Sequence, residues 1–133
     1  MTYERSIKLS FRGFEHPDDL IAAVGVVPTM IARKGEPTRP GRDVVYAKNS
    51  VGYAHPFSHE MRWDDAIDLI IQHLGGLEKL ETIVRRFRPQ HVQIDLILPV
   101  RNSEEQEDNY ISAETMAKLV SLNASFGCSF VKG

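Results

Sequence analysis

The chain has 133 residues, of which 42% are hydrophobic and 26% are charged, and this composition excludes bulk disorder. At this length we expect one domain with one hydrophobic core, spanning residues 1–133. The formal net charge of −2 provides no overall positive field, so we expect neither nucleic acid nor a membrane surface as a partner.

The first half of the chain predicts two strands separated by a helix. Alternating apolar and polar residues over 6–12 predict a strand with one buried face. Pro17 suits the first position of a helix, and Gly25 suits the residue that ends one. Two glycines and two prolines within residues 29–42 predict a loop. The pattern then predicts a strand over 43–53 and a connecting segment over 54–61.

The middle of the chain predicts a pair of helices followed by a strand. Apolar residues at helical spacing begin at Trp63, and Gly75–Gly76 interrupt them. The spacing then resumes until Pro89, which predicts a second helical segment. Strict alternation over residues 91–99 predicts a strand with one apolar face.

The last part of the chain predicts a helix and a strand. Ser112 is a favourable N-cap, and the apolar stripe of the helix is expected to comprise Met116, Leu119 and Val120. In the final strand, over 124–130, alternation places Cys128 on the buried face. A single buried cysteine excludes an internal disulfide and is expected to be chemically inert.

The order β-α-β-α(α)-β-α-β predicts an α+β fold with a mainly antiparallel sheet of about four strands and helices packed on one face. A ferredoxin-like or related split arrangement is the nearest expectation, although the sequence does not fix the strand order. The opposite face of the sheet is expected to be either solvated or a contact surface for a second copy or another protein. Its expected residues are Lys8, Ser10, Arg12, Gln93, Asp95, Ile97, Ser125 and Ser129.

Residues 7–35 resemble bacterial proteins grouped as domain of unknown function 4279. The resemblance rests on Asp18-Asp19, on the segment Val24-Gly-Val-Val-Pro-Thr29 and on Arg33-Lys-Gly-Glu36. The paired helical segment and the closing helix and strand are also similar to that family. The resemblance implies an α+β fold and a bacterial source, and it supplies no catalytic residues.

A basic loop over residues 33–42 is the first candidate binding segment. It carries Arg33, Lys34, Arg39 and Arg42, and its two glycines permit close approach of the backbone to an anion. The loop lacks the glycine-lysine order and the helix of a P-loop. It is therefore either a solvated loop, a contact for a protein partner or a pocket for a small anion.

A second candidate cluster consists of His55, His59 and Glu60. Two imidazoles and a carboxylate can bind zinc or transfer protons, but their spacing does not match a metalloprotease helix. The alternative is a polar connecting segment. An acidic run is expected to be a solvated loop or a contact for a basic protein; it comprises Glu104, Glu105, Glu107 and Asp108.

Two functions are compatible with these features. The first is a non-catalytic protein-interaction module that binds a bacterial protein or a second copy of itself, with neutralisation of a toxin as one version. The alternative is a small enzyme or a phosphate- or anion-binding protein that joins loop 33–42 to the His55, His59 and Glu60 cluster. We expect no cofactor and no metal. The start of the chain lacks a signal peptide, so we expect a cytoplasmic protein.

Overall fold

The computed structural model describes residues 5–99 and 110–131. These residues form one five-stranded mixed sheet and four helices, which confirms the α+β prediction and adds a strand to it. The elements are, in chain order, β1 (Arg5–Arg12), α1 (Pro17–Val24), β2 (Met30–Ala32), β3 (Ser50–Phe57), α2 (Trp63–His73), α3 (Leu77–Phe87), β4 (His91–Pro99), α4 (Ala113–Ser121) and β5 (Ala124–Val131).

The strand order is β2-β3-β1-β4-β5. The first four strands pair antiparallel, and β1 lies between β3 and β4, which is the strand order of a ferredoxin-like sheet. The fifth strand pairs parallel to β4 after the crossover through α4. The sequence pattern does not predict β2, because its three residues are too few to show alternation.

One face of the sheet carries the hydrophobic core. Alternation along β1 buries Ile7, Leu9 and Phe11, as the sequence predicts. The helices cover this face with their apolar sides, and α2 contributes its fully buried residues Ile67, Ile70 and Ile71. The other face carries no helix in the described residues, so the polar residues of the strands line it.

The predicted helix boundaries are largely confirmed. Pro17 is the first residue of α1, and Gly25 ends it in the left-handed conformation with a φ of 78°. The Oγ of Ser112 accepts a hydrogen bond from the Thr115 N–H at 3.2 Å, which is the predicted N-cap of α4. Gly75 and Gly76 both have positive φ and separate α2 from α3.

The strand predicted over residues 43–53 is wrong in its position. Residues 33–46 form an irregular hairpin with an isolated bridge between Pro37 and Val45, and β3 begins only at Ser50. The strand then runs through the predicted connecting segment to Phe57. Within β3, Gly52 faces the open side of the sheet, while Val51 and Tyr53 pack in the core.

The burial predicted for the last helix and strand is wrong at several positions. Met116 and Val120 are 51% and 77% exposed, whereas Thr115, Leu119 and Leu122 form the buried side of this segment. Cys128 is exposed. The reason is that β5 lies at the edge of the sheet, where α4 has a neighbouring helix on one side only. We find no helix within residues 5–99 and 110–131 with both the length and the apolar character that a membrane crossing requires.

Candidate functional site

The open face of the sheet contains a groove of about 650 Å³. This volume lies within the range of small-molecule sites. Most of the lining residues are polar, and Met30, Ala32 and Ala47 are the aliphatic ones. The complete lining is Lys8, Ser10, Arg12, Met30, Ala32, Tyr46, Ala47, Lys48, Ser50, His91, Gln93 and Asp95. Five of the residues that the sequence assigned to the open face therefore lie in one groove.

The strand register arranges the floor of the groove in rows that cross the sheet. Side chains directly opposite each other in antiparallel strands point to the same face. The rows are Ser50–Arg12–His91, Gly52–Ser10–Gln93 and Ala54–Lys8–Asp95. Small residues on β3 make this side of the floor low, and the longer side chains of β1 and β4 rise beside it.

Lys8 and Asp95 are opposite each other, but their charged groups lean in different directions. The Lys8 chain lies over Gly52, where a Cβ atom would be 2.8 Å from Lys8 Cε. The Asp95 carboxylate lies over Gly127 on the other side, where a Cβ atom would be 2.7 Å from Oδ1. Asp95 accepts a hydrogen bond from Gln93 Nε2 at 2.9 Å. The two glycines thus provide the space that separates the two charges.

Lys8 and Arg12 are cations without an ionic partner in the described part of the chain. Neither side chain makes an ion pair or a hydrogen bond with a residue in 5–99 or 110–131. They lie four residues apart on β1, an even spacing, and therefore point to the same face. The hydroxyls of Ser10 and Ser50 face the same space. The groove therefore presents unused hydrogen-bond donors beside two positive charges.

The returning arm of the hairpin forms one wall of the groove through Tyr46, Ala47 and Lys48. Lys48 Nζ donates a hydrogen bond to Gln90 Oε1, which ties this wall to the residue before β4. The wall is also held by backbone bonds across the hairpin, with Gly35 N donating to Tyr46 O and Tyr46 N donating to Glu36 O, both at 2.9 Å.

Asn49 fixes the base of this wall to the rest of the fold. Its Oδ1 accepts from the Lys34 N–H at 2.8 Å, and its Nδ2 donates to the Phe14 carbonyl at 2.9 Å. Its own carbonyl accepts from the Gly13 N–H at 2.9 Å. The base of the hairpin is thereby joined to the end of β1, next to Arg12. This connection positions the wall relative to the floor.

The four basic residues of the predicted binding loop have different surroundings, and none of them lines the groove. Arg33 makes a two-point ion pair with Asp18, with N–O distances of 2.8 and 3.2 Å. The hydrogen bonds and the charge of Arg33 hold the pKa of Asp18 below its usual value. Lys34 lines a smaller adjoining cleft of about 200 Å³. Arg39 and Arg42 are exposed on the hairpin.

His55 lies on the helix side of the sheet, since it is opposite the buried Ile7. Its ring contacts that of His73 at a centroid distance of 4.8 Å. His59 and Glu60 are exposed in the turn after β3. The basic hairpin joins the other end of β3, about 17 Å along the strand from His55. The structure therefore does not bring loop 33–42 and this cluster into one site.

No cluster of three or more His, Cys, Asp or Glu side chains with the proximity needed to hold a metal ion exists among residues 5–99 and 110–131. The acidic run of Glu104, Glu105, Glu107 and Asp108 lies outside the described residues.

Sequence reasoning missed the contribution of Tyr46, Lys48 and His91 to the groove. Alternation identified the polar face of the strands, but Tyr46 and Lys48 belong to an irregular segment without a period. The predicted strand over 43–53 assigned Tyr46 and Lys48 to a regular element, so their position in the wall of the groove was not predicted. The position of His91 could have been predicted from the alternation along β4, because His91 shares a face with Gln93 and Asp95.

Comparison of this chain with protein-family models, with curated proteins and with solved structures found no match. The resemblance to domain of unknown function 4279 stays a prediction.

Proposed function

We propose that this protein is a non-catalytic binding protein that holds a small, polar, anionic molecule in the groove on the open sheet face. The observation that carries the proposal is the pair of cations Lys8 and Arg12, which point into the groove and make no ion pair with any described residue. Anion binding was the alternative expected from the sequence, and the proposal moves its site from loop 33–42 to this groove.

The charge of the lining favours an anion although the whole chain is slightly acidic. Lys8, Arg12 and Lys48 contribute three positive charges to the lining, against one carboxylate from Asp95. A phosphate or carboxylate can accept charge-assisted hydrogen bonds from lysine and arginine, which are stronger than bonds between neutral groups.

The remaining lining indicates a ligand with hydroxyl or amide groups besides the anionic group. Ser10, Ser50 and Gln93 can donate or accept hydrogen bonds, and Tyr46 can both stack and donate. His91 makes no hydrogen bond with Ser10 or Ser50, the hydroxyl-bearing serines of the lining, and the proposal contains no reaction step.

The test is an NMR titration of the ¹⁵N-labelled protein with inorganic phosphate, a sugar phosphate, citrate and glucose. We expect the charged molecules to shift the amide signals of Ser10, Gly52 and Gln93, and glucose to have no effect. The phosphate and citrate arms distinguish a phosphate from a carboxylate ligand. Raising the salt concentration should weaken binding, because mobile ions screen the two cations.

Lys8→Gln and Arg12→Gln are the informative variants. A hydrogen bond to a charged group contributes about 1.5–3 kcal/mol, so each substitution should weaken binding about tenfold or more. Arg39→Gln is the matched control, since Arg39 is an exposed cation outside the groove. The proposal fails if the charged molecules shift no groove signals, or if Arg39→Gln weakens binding as much as the two groove variants.

The hairpin supports a second candidate function, the protein-interaction module. Its outer surface exposes Val44 (64%) and Val45 (49%) next to the cations Arg39 and Arg42. Exposed apolar residues surrounded by charge are typical of protein contacts. A photo-crosslinker at position 44 should capture a specific protein in cells of the native host, whereas one at position 27, which is 86% exposed and lies outside the hairpin, should not capture the same protein. Equal capture at both positions would count against this function.

The sequence also favours one cellular compartment and one kind of source organism for this protein. The single cysteine favours a reducing compartment such as the cytoplasm, and the family resemblance favours a bacterium.

A further inference from the structure

Among residues 5–99 and 110–131, nothing gives the edge strand β5 the protection that the edge of a sheet usually has. It pairs with β4 on one side, and the structure places no described strand on the other. Its eight residues include no charge and no proline. Proteins normally protect an exposed edge with a short strand, a lysine, a proline or a bulge. The opposite edge has such protection, since β2 is only three residues long.

Exposed apolar side chains lie beside this open edge. Phe130 is 62% exposed, and it lies on the helix side because it pairs with the buried Leu98. Met116 and Val120 are four residues apart on α4, so they share one face of that helix, which packs on β5. The β5 edge surface is defined here as the outer edge of β5 with Met116, Val120 and Phe130.

We propose that two copies of the chain pair antiparallel through their β5 edge surfaces and form a continuous ten-stranded sheet. A two-fold axis perpendicular to the sheet brings identical strands together and places the α4 helices of both copies on the same side. A second copy fits this edge because an uncharged strand can face itself without placing like charges opposite each other. The exposed apolar residues of α4 and β5 then extend the helix layer across the junction.

The pleat of β5 permits this pairing in two registers. Residues opposite each other in an antiparallel pair point to the same face, so a residue on the helix side must face another residue on that side. The helix side of β5 carries Phe126, Cys128 and Phe130. Of the registers that meet this condition, the two with the axis at Gly127 or at Cys128 pair the most residues. Each choice keeps most of the strand paired, and each places Cys128 inside the paired segment.

The size of the surface sets the expected strength of the dimer. An eight-residue strand is about 27 Å long, and the sheet with its helix layer is about 20 Å thick. The edge therefore buries roughly 550 Å² per copy, which is near the lower limit for a specific interface. We expect a dissociation constant in the micromolar range. The groove remains open in this dimer, because it lies on the part of the sheet formed by β2, β3, β1 and β4.

Light scattering after size-exclusion chromatography, over about 5–500 µM protein, tests the proposal. We expect the mass to rise from that of one chain to that of two. Val120→Glu and Phe130→Glu should each raise the dissociation constant about tenfold or more, because each places a charge within the apolar contact between the two copies. Val27→Glu is the matched control, since Val27 is 86% exposed outside this surface. Circular dichroism confirms that each variant is folded.

A chain that stays monomeric over this range would overturn the proposal. So would a dimer that the two glutamate variants do not weaken, or one that Val27→Glu weakens equally. A second measurement uses Cys128, the only cysteine of the chain. Its modification by a thiol reagent should slow as the protein concentration rises through the dissociation constant. An unchanged rate would place the contact elsewhere and refute pairing through β5.

Discussion

Gly52→Ala should weaken anion binding without weakening the fold. A methyl group at this position would lie 2.8 Å from Lys8 Cε and 3.5 Å from Met30 Cε. Carbon atoms in contact are normally 3.5–4.0 Å apart, so the end of the Lys8 side chain must move by roughly 1 Å. The movement is inexpensive for the fold because this end is flexible. The Lys8 ammonium, however, leaves the position from which it points into the groove.

We expect Gly52→Ala to raise the stability of the fold and to lower its affinity for the anion. Replacing a strand glycine by alanine reduces the entropy of the unfolded chain and should stabilise the fold by about 0.5–1 kcal/mol. Misplacing one charge-assisted hydrogen bond costs about 1.5 kcal/mol or more, which corresponds to a loss of about tenfold in affinity. Urea unfolding measures the first effect, and calorimetric titration with the tightest anion of the NMR panel measures the second.

A double-mutant cycle separates this explanation from a general disturbance of the groove. If Gly52→Ala acts by displacing Lys8, it should cause no further loss of affinity in a Lys8→Ala background. An equal loss in both backgrounds would show that the methyl group acts on the ligand itself. A variant that binds as well as the parent, or one that is less stable, would refute the reasoning.

Four further predictions concern the fold around the groove and its edge. Asn49→Ala should lower the free energy of unfolding, measured with urea, by about 2 kcal/mol, since it removes two hydrogen bonds. Asn49→Asp should cost about half as much because it keeps the acceptor, and equal costs would contradict this. Because Arg33 lowers the pKa of Asp18 in the folded state, their stabilisation is present above the ordinary carboxylate pKa and is lost as the pH falls through the lowered value. Asp18→Asn should therefore lower the stability at neutral pH and have no effect at a pH below both values, and a loss that persists at that pH would refute the ion pair. Tyr53→Phe should leave the stability unchanged or raise it by about 1 kcal/mol. The buried Tyr53 hydroxyl has no hydrogen-bond partner among the described residues, and its burial raises the pKa of Tyr53 to about 12. A clear loss of stability would reveal a partner. Cys128 should react fully with a thiol reagent in dilute folded protein, whereas a protected thiol would contradict its exposure.

The strands that bury one face were predictable because alternation records which side chains meet the core. The patterns of β1 and β4 gave both the buried residues and the polar residues of the groove floor, such as Lys8 and Gln93. The helices followed from apolar spacing and from residues at their ends, including Pro17 and Ser112. These signals are local, so they can be read without knowing which strands are neighbours.

The candidate site was only half predictable. The groove depends on a wall formed by Tyr46 and Lys48, and that wall follows from hydrogen bonds of Asn49 to residues distant in sequence. The basic residues of loop 33–42 lie elsewhere, and Arg33 is paired with Asp18. Local charge does not show whether an ion already has a partner within the fold.

The sequence alone determined the α+β class, the helices and the polar face of the sheet, because each depends on the periodicity of a continuous segment. The tertiary structure decided that β2 joins the sheet, that the hairpin folds beside the groove, and that Cys128, Met116 and Val120 are exposed. The physical reason is that burial in an edge strand depends on its neighbours. The pattern of β5 marks a face as apolar, but only the position of β5 at the edge of the sheet leaves that face partly uncovered.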